Sequence, residues 1–100
     1  MNDKYILEGH KAVLCNDIMV WAKNFEKLDG IVKQEEINGI KISTVFLGID
    51  HSFGGKKPLL FETMVFGGKL NEEQERYETW EEAEEGHLKM VEKVKAEEAI

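Results

Sequence analysis

"IVKQEEINGIKISTVFLG", residues 31–48, places Asn38-Gly39 between two runs rich in β-branched residues. Both residues tolerate the positive φ of a type I′ turn, and no short sequence signal for a β-hairpin is stronger. A two-residue loop fixes the register. Ile37 should face Ile40, Glu36 Lys41, Glu35 Ile42, Gln34 Ser43 and Val32 Val45, because side chains alternate with a period of two. One face of this hairpin then collects Ile31, Ile37, Ile40, Ile42 and Phe46. The other is polar near the turn and becomes apolar at Val45 and Leu47.

The next apolar run, "LLFETMVF" at 59–66, predicts a third strand. Leu59, Phe61, Thr63 and Val65 point one way and Leu60, Glu62, Met64 and Phe66 the other, so both faces are largely apolar, as in a central strand. Helices can cover one face of so small a sheet. The apolar surface left on the other face predicts a second copy of the chain, a homodimer.

Upstream of the hairpin, Ile18, Trp21, Ala22, Phe25 and Leu28 recur at steps of three and four, predicting a helix over 17–29 capped by Asn16 and closed at Asp29-Gly30. "KYILEGHKAVLC", residues 4–15, reads as two short extended segments around Glu8-Gly9. Downstream, Thr79 and Glu82 form the T-x-x-E pattern of a capping box. Trp80, Ala83, His87, Met90, Val91 and Val94 follow as a helical stripe, predicting a helix over 80–96. Gly86 inside that helix costs about 1 kcal/mol relative to alanine, so a neighbouring strand is expected to approach it closely. The fold class predicted is α+β: one domain over 1–100, with a small antiparallel sheet and two helices packed on one face.

A net charge of −7 in 100 residues opposes general binding to nucleic acid or to an anionic membrane, both of which need a positive field. A basic protein surface is the more natural partner. Glutamates at 72, 73, 75, 78, 81, 82, 84 and 85 concentrate that charge around the start of the last helix, where it also complements the helix dipole. Cys15 is the one cysteine, so no intrachain disulfide or four-cysteine zinc site can form, and a reducing interior fits. No run approaches the roughly 20 apolar residues of a membrane span, and the Met-Asn-Asp-Lys start lacks a signal-peptide core. These features predict a protein of the cytoplasm that makes it.

Two groups of residues carry possible chemistry. "GIDHSFGGKKP" has the glycines and lysines of an anion cradle, in which Lys56 and Lys57 would supply charge and the amides around Gly54 and Gly55 a nest. It is not a P-loop: Gly48 lies six residues before Gly54, no Ser or Thr follows the lysine, and a strand comes next. The commoner arrangement is a plain connection whose glycines turn the chain. Asp50, His51, Glu62 and His87 form the second group, with ligand types suited to a metal but none of the short metal signatures, so no metal or cofactor is expected. His87 lies on the apolar helical stripe, where a hydrogen-bonded core histidine is the commoner role. Glu62, inside an apolar run, needs a partner such as Arg76, Tyr77, Thr44 or His51, or else a raised pKa.

"STVFLGIDHSFG", "PLLFETMVFGG" and "RYETWEEAEEGH" together resemble a family of small proteins encoded by bacteriophages and prophages, with a similar S-T-V-F-L-G-x-D-H-x-F, P-x-L-F-E-T-M-V-F-G-G and R-Y-x-T-W-x-E-A-x-x-G-H. The resemblance covers about a third of the chain. It implies a phage accessory origin, brings no reaction, cofactor or catalytic residue with it, and draws Asp50, His51, Glu62, Arg76, Tyr77 and His87 into one set of motif positions. The function expected is binding without catalysis, of a host protein or of a small anionic ligand such as a signalling nucleotide, with Lys56 and Lys57 joining that set. A small hydrolase or metal-dependent enzyme using His51, His87, Asp50 and Glu62 is the rival, and a virion or scaffold component a third possibility.

Overall fold

The computed structural model describes residues 3–27, 30–52 and 57–99. Eight elements follow in order: β1 (Tyr5–Glu8), β2 (Lys11–Leu14), α1 (Ile18–Lys27), β3 (Ile31–Ile37), β4 (Ile40–Phe46), β5 (Phe61–Phe66), β6 (Gln74–Tyr77) and α2 (Trp80–Glu98). β1 and β2 form a two-stranded ribbon, while the other strands form an antiparallel sheet in the order β3-β4-β5-β6. The fold is α+β, as predicted. Among the described residues, no helix is long and apolar enough to cross a membrane.

The β3–β4 hairpin turns at Asn38 and Gly39, with φ of 49° and 82°, and keeps the predicted register from Ile37↔Ile40 to Gln34↔Ser43. Beyond that point it slips. Ile31, not Val32, lies opposite Val45, because the register shifts between Ile31 and Lys33. Such an irregularity changes which side chains face inward. Val32 therefore joins the core around Phe46 and Phe61, and Ile31, expected inside, is 38% exposed.

β5 starts at Phe61 rather than at 59 and alternates cleanly, with Phe61, Thr63 and Val65 wholly buried and Glu62, Met64 and Phe66 on the other face. β6, which the sequence pattern did not reveal, extends the sheet by pairing Phe61↔Tyr77, Glu62↔Arg76, Thr63↔Glu75 and Met64↔Gln74. α2 crosses the face formed by Ile40, Ile42, Thr44 and Phe46 of β4 and by Phe61, Thr63 and Val65 of β5. Its buried stripe is Ala83, His87, Met90, Val91 and Val94. The capping box forms as expected: Thr79 Oγ1 accepts from the Glu82 amide at 3.1 Å, and Glu82 Oε1 accepts from the Thr79 amide at 3.2 Å.

α1 is capped by Asp17 rather than Asn16, since Asp17 Oδ1 accepts from the amides of Met19 at 2.9 Å and Val20 at 3.3 Å. The predicted end of that helix at 28–29 lies outside the described residues. Trp21 Nε1 donates to the Gly48 carbonyl at 3.1 Å, and the Phe25 ring lies against Gly48, whose φ of +74° a larger residue would strain. Phe25 in turn stacks on Phe46, with ring centroids 6.2 Å apart, which seats α1 on the face that α2 also covers. Ile18, predicted on the buried stripe, is 61% exposed. The β1–β2 turn falls at Gly9-His10, one residue later than predicted, because Gly9 supplies the positive φ of 64°.

Candidate functional site

The core of the main sheet is two apolar clusters with a polar layer between them. Ile40, Ile42, Val65, Met90, Val91 and Val94 form one cluster, and Phe46, Leu60, Phe61 and Ala83 the other. Along β4 the inward positions read Ile42, Thr44, Phe46, and along β5 they read Phe61, Thr63, Val65. The two threonines thus lie side by side where the clusters meet, under His87 of α2. All three are wholly buried.

Burying hydroxyls and an imidazole is tolerated only when each finds a partner. Here they partner one another. Tyr77 donates its hydroxyl proton to Thr63 Oγ1 at 3.1 Å, Thr63 and Thr44 hydroxyls meet at 2.5 Å, and Thr44 Oγ1 lies 2.6 Å from His87 Nδ1. His87 Nε2 is 3.2 Å from Glu35 Oε1, which also meets Lys33 Nζ at 3.4 Å. Burial holds the His87 pKa below its ordinary value; Glu35 opposes that shift without cancelling it, and Lys33 adds to it. Burial likewise raises the Tyr77 phenol, helped by Glu75 and opposed by the bond to Thr63.

Tyr77 also lines a groove between edge strand β6 and α2, with a volume of about 390 Å³. Its floor is Tyr77, Gly86 and Met90, and its walls are Glu75, Glu82 and Glu85 with Lys89 and Lys93. A Cβ on Gly86 would lie 2.2 Å from Tyr77 Cε1, so the glycine is there to let the tyrosine ring reach the helix backbone. Both lysines are already tied to carboxylates, Lys89 to Glu85 at 3.3 Å and Lys93 to Glu73 at 3.4 Å. Three carboxylates against two lysines leave the lining with a net charge of −1. A second hollow, of about 630 Å³, lies between the β1–β2 ribbon and the start of α2, where His10 stacks on Trp80 at 3.9 Å.

The sequence-predicted site residues fall in three places. Asp50 and His51 hold the segment after β4: Asp50 Oδ1 accepts from the amides of Ser52 at 2.8 Å and Leu59 at 3.0 Å, and His51 Nδ1 meets the Ile49 carbonyl at 2.7 Å. Burial works against the Asp50 charge, but these amides, the Ser52 hydroxyl and the neighbouring His51 outweigh it and hold the carboxyl below its ordinary range. Glu62 pairs with Arg76 across the uncovered face, Oε2 to Nε at 2.9 Å. Tyr77 and His87 share the buried chain. Lys57 is exposed, while Lys56 lies outside the described residues.

Asp50, His51, Glu62 and His87 are thus not one constellation; Glu62 and His87 lie on opposite faces of the sheet. Among the described residues, no group of three or more His, Cys, Asp or Glu side chains is placed to hold a metal ion. The residues that sequence reasoning missed are Glu35, Thr44 and Thr63. For the threonines the signal was present, since each is a polar residue at an inward position of an otherwise apolar strand face; Glu35 shares its face of β3 with Lys33 and gave no such signal. No protein-family model, curated protein or solved structure matches the chain.

Proposed function

We propose that this protein is a phage-type accessory protein of the host bacterial cytoplasm that acts by binding a basic segment of a host protein, without catalysis. The observation that carries this reading is the groove between β6 and α2, where an aromatic and apolar floor of Tyr77 and Met90 is walled by three carboxylates, Glu75, Glu82 and Glu85, against two lysines, Lys89 and Lys93. Such a groove suits a chain segment that offers Lys or Arg to the walls and an apolar side chain to the floor. Complementary charge of this kind speeds encounter and rejects acidic competitors.

A small anionic ligand at the glycine-lysine connection has less to support it. The amides around Gly54 and Gly55 lie outside the described residues, and those of Ser52 and Leu59, on either side of them, are taken by Asp50. The enzymatic alternative lacks a reaction centre in which its four residues could cooperate. The same reading includes a homodimer formed through the sheet face that no helix covers, where Val45 and Met64 accompany the more exposed Phe66.

Selection of displayed random peptides on the immobilised protein tests the groove. Recovered sequences should be enriched in Lys and Arg, and Glu75→Lys with Glu85→Lys should weaken their binding on the order of tenfold, since rim charges contribute modestly one by one. Peptides without basic enrichment, or binding that survives the charge reversal, would refute the reading. Calorimetric titration with linear and cyclic nucleotides supplies the opposite arm, in which heat of binding would favour the anion.

A further inference from the structure

Behind the groove, the protons of the buried chain can be counted. Four hydrogen bonds link five groups: Tyr77 to Thr63, Thr63 to Thr44, Thr44 to His87 Nδ1, and His87 Nε2 to Glu35. An ionised Glu35 only accepts, so Nε2 must carry a proton. In neutral His87 the other nitrogen, Nδ1, is then a lone pair that accepts from Thr44. Thr44 in turn accepts from Thr63, and Thr63 from Tyr77. Four protons serve four bonds, all donated in one direction.

A second proton on the imidazole reverses this order. Nδ1 then donates to Thr44, Thr44 must donate to Thr63, and the Thr63 proton has the Tyr77 oxygen as its acceptor within the chain. Tyr77 becomes an acceptor on its inner side, and its own proton turns outward. We propose that this chain is a switch through which protonation of His87 changes what Tyr77 offers the groove, from lone pairs alone to a hydrogen-bond donor. As a device for regulating partner binding, it rests on the groove being the binding surface.

The electrostatics set where the switch acts. β3 brings Glu35 and Lys33 toward the imidazole, β4 and β5 bring only the Thr44 and Thr63 hydroxyls, and β6 brings Tyr77 and Glu75 beyond them. Glu84 is one turn away on α2 itself, in solvent. Burial outweighs the attraction of Glu35, so the switch turns below the ordinary histidine pKa of about 6.5. Because the folded pKa is lowered, the unfolded chain takes this proton first. The stability contributed by neutral His87 is present above about pH 6.5 and declines as the pH falls toward the folded value.

NMR titration of the isotopically labelled full chain from pH 7.5 downward tests the switch without any partner, so failure of the groove to bind peptides would leave the result interpretable. The Tyr77 ring carbon bearing the hydroxyl should shift with the same midpoint as the His87 nitrogens. In Tyr77→Phe the reversed chain would strand the Thr63 proton, so the His87 midpoint should move to lower pH. In Thr63→Val, His87 should still titrate while Tyr77 no longer follows. A Tyr77 signal that ignores His87 in the wild type, an unshifted or raised midpoint in Tyr77→Phe, or a His87 that stays neutral until the fold melts would each overturn the proposal.

Discussion

Gly86 and Tyr77 show how one position can invert a helix rule. In a solvent-facing helix interior, replacing glycine with alanine stabilises by about 1 kcal/mol. Here the added methyl would lie 2.2 Å from a ring carbon of Tyr77, and that ring is tethered by its hydroxyl to Thr63. Moving the ring sacrifices the tether, worth about 1 kcal/mol, on top of about 1–3 kcal/mol for overpacking. Net of the helix preference, Gly86→Ala should therefore destabilise by about 1–3 kcal/mol, lowering Tm by at least several degrees in a domain of this size. The control is the same substitution on a Tyr77→Ala background, where the space is empty and the helix preference should reassert itself as a rise in Tm. If Gly86→Ala stabilises both backgrounds, the tyrosine is not held against the helix. The glycine's need for a close neighbour was legible in the sequence. Which neighbour, and that its hydroxyl closes a buried chain, was not, since Tyr77 and Thr63 lie 14 residues apart and meet only through strand pairing.

At the scale of elements, strong local chemistry was readable and weak or non-local chemistry was not. α2 combines a capping box with a buried stripe, and β4 and β5 carry enough apolar residues to declare themselves. β6 is "QERY", an edge strand whose inward residues Glu75 and Tyr77 line a groove instead of filling a core, so it has no hydrophobic alternation to find. The slip in β3 is equally silent, because Ile31 and Val32 are both apolar and the sequence favours neither for the inside. Asn16 and Asp17 are both good cap residues by type, so local chemistry does not choose between them. The capping box at Thr79 gives a direct measure of how far local chemistry holds this fold. Thr79→Ala should cost about 1 kcal/mol, the usual loss at an N-cap, and leave the spectrum of the folded protein unchanged. Thermal denaturation followed by circular dichroism reads it. A loss well above 2 kcal/mol would mean that the cap also holds β6 in place through the short link from Tyr77 to Trp80.

The whole molecule exposes more surface than its mass requires. Its accessible area is 6491 Å², against roughly 5800 Å² for a typical monomer of this mass. Its radius of gyration is 14.5 Å, where about 13 Å is usual for 100 residues. The long axis of 49 Å helps to explain both. So does the sheet itself, since α1 and α2 cover one face and the other is left with Val45, Met64 and Phe66 around the Glu62–Arg76 pair. Phe66 is 46% exposed, partly beneath Lys41, whose ammonium lies 6.0 Å from the ring centroid. A pair of copies meeting on this face would each bury on the order of 800 Å², the share of one partner in a standard interface. Two-fold symmetry would also let Glu62 and Arg76 of each copy face their counterparts, giving polar register to a contact centred on Val45, Met64 and Phe66. Light scattering at micromolar concentration should give twice the chain mass of 11.5 kDa. Met64→Lys places a charge in the middle of the open face, next to Ser43 on one side and Gln74 on the other. It should yield the 11.5 kDa species while leaving the fold intact, because the substituted side chain points away from the core. A wild-type protein that scatters as a single chain at every concentration would show that ion pairs and long side chains are enough to cover this face, and that its apolar residues need no second copy.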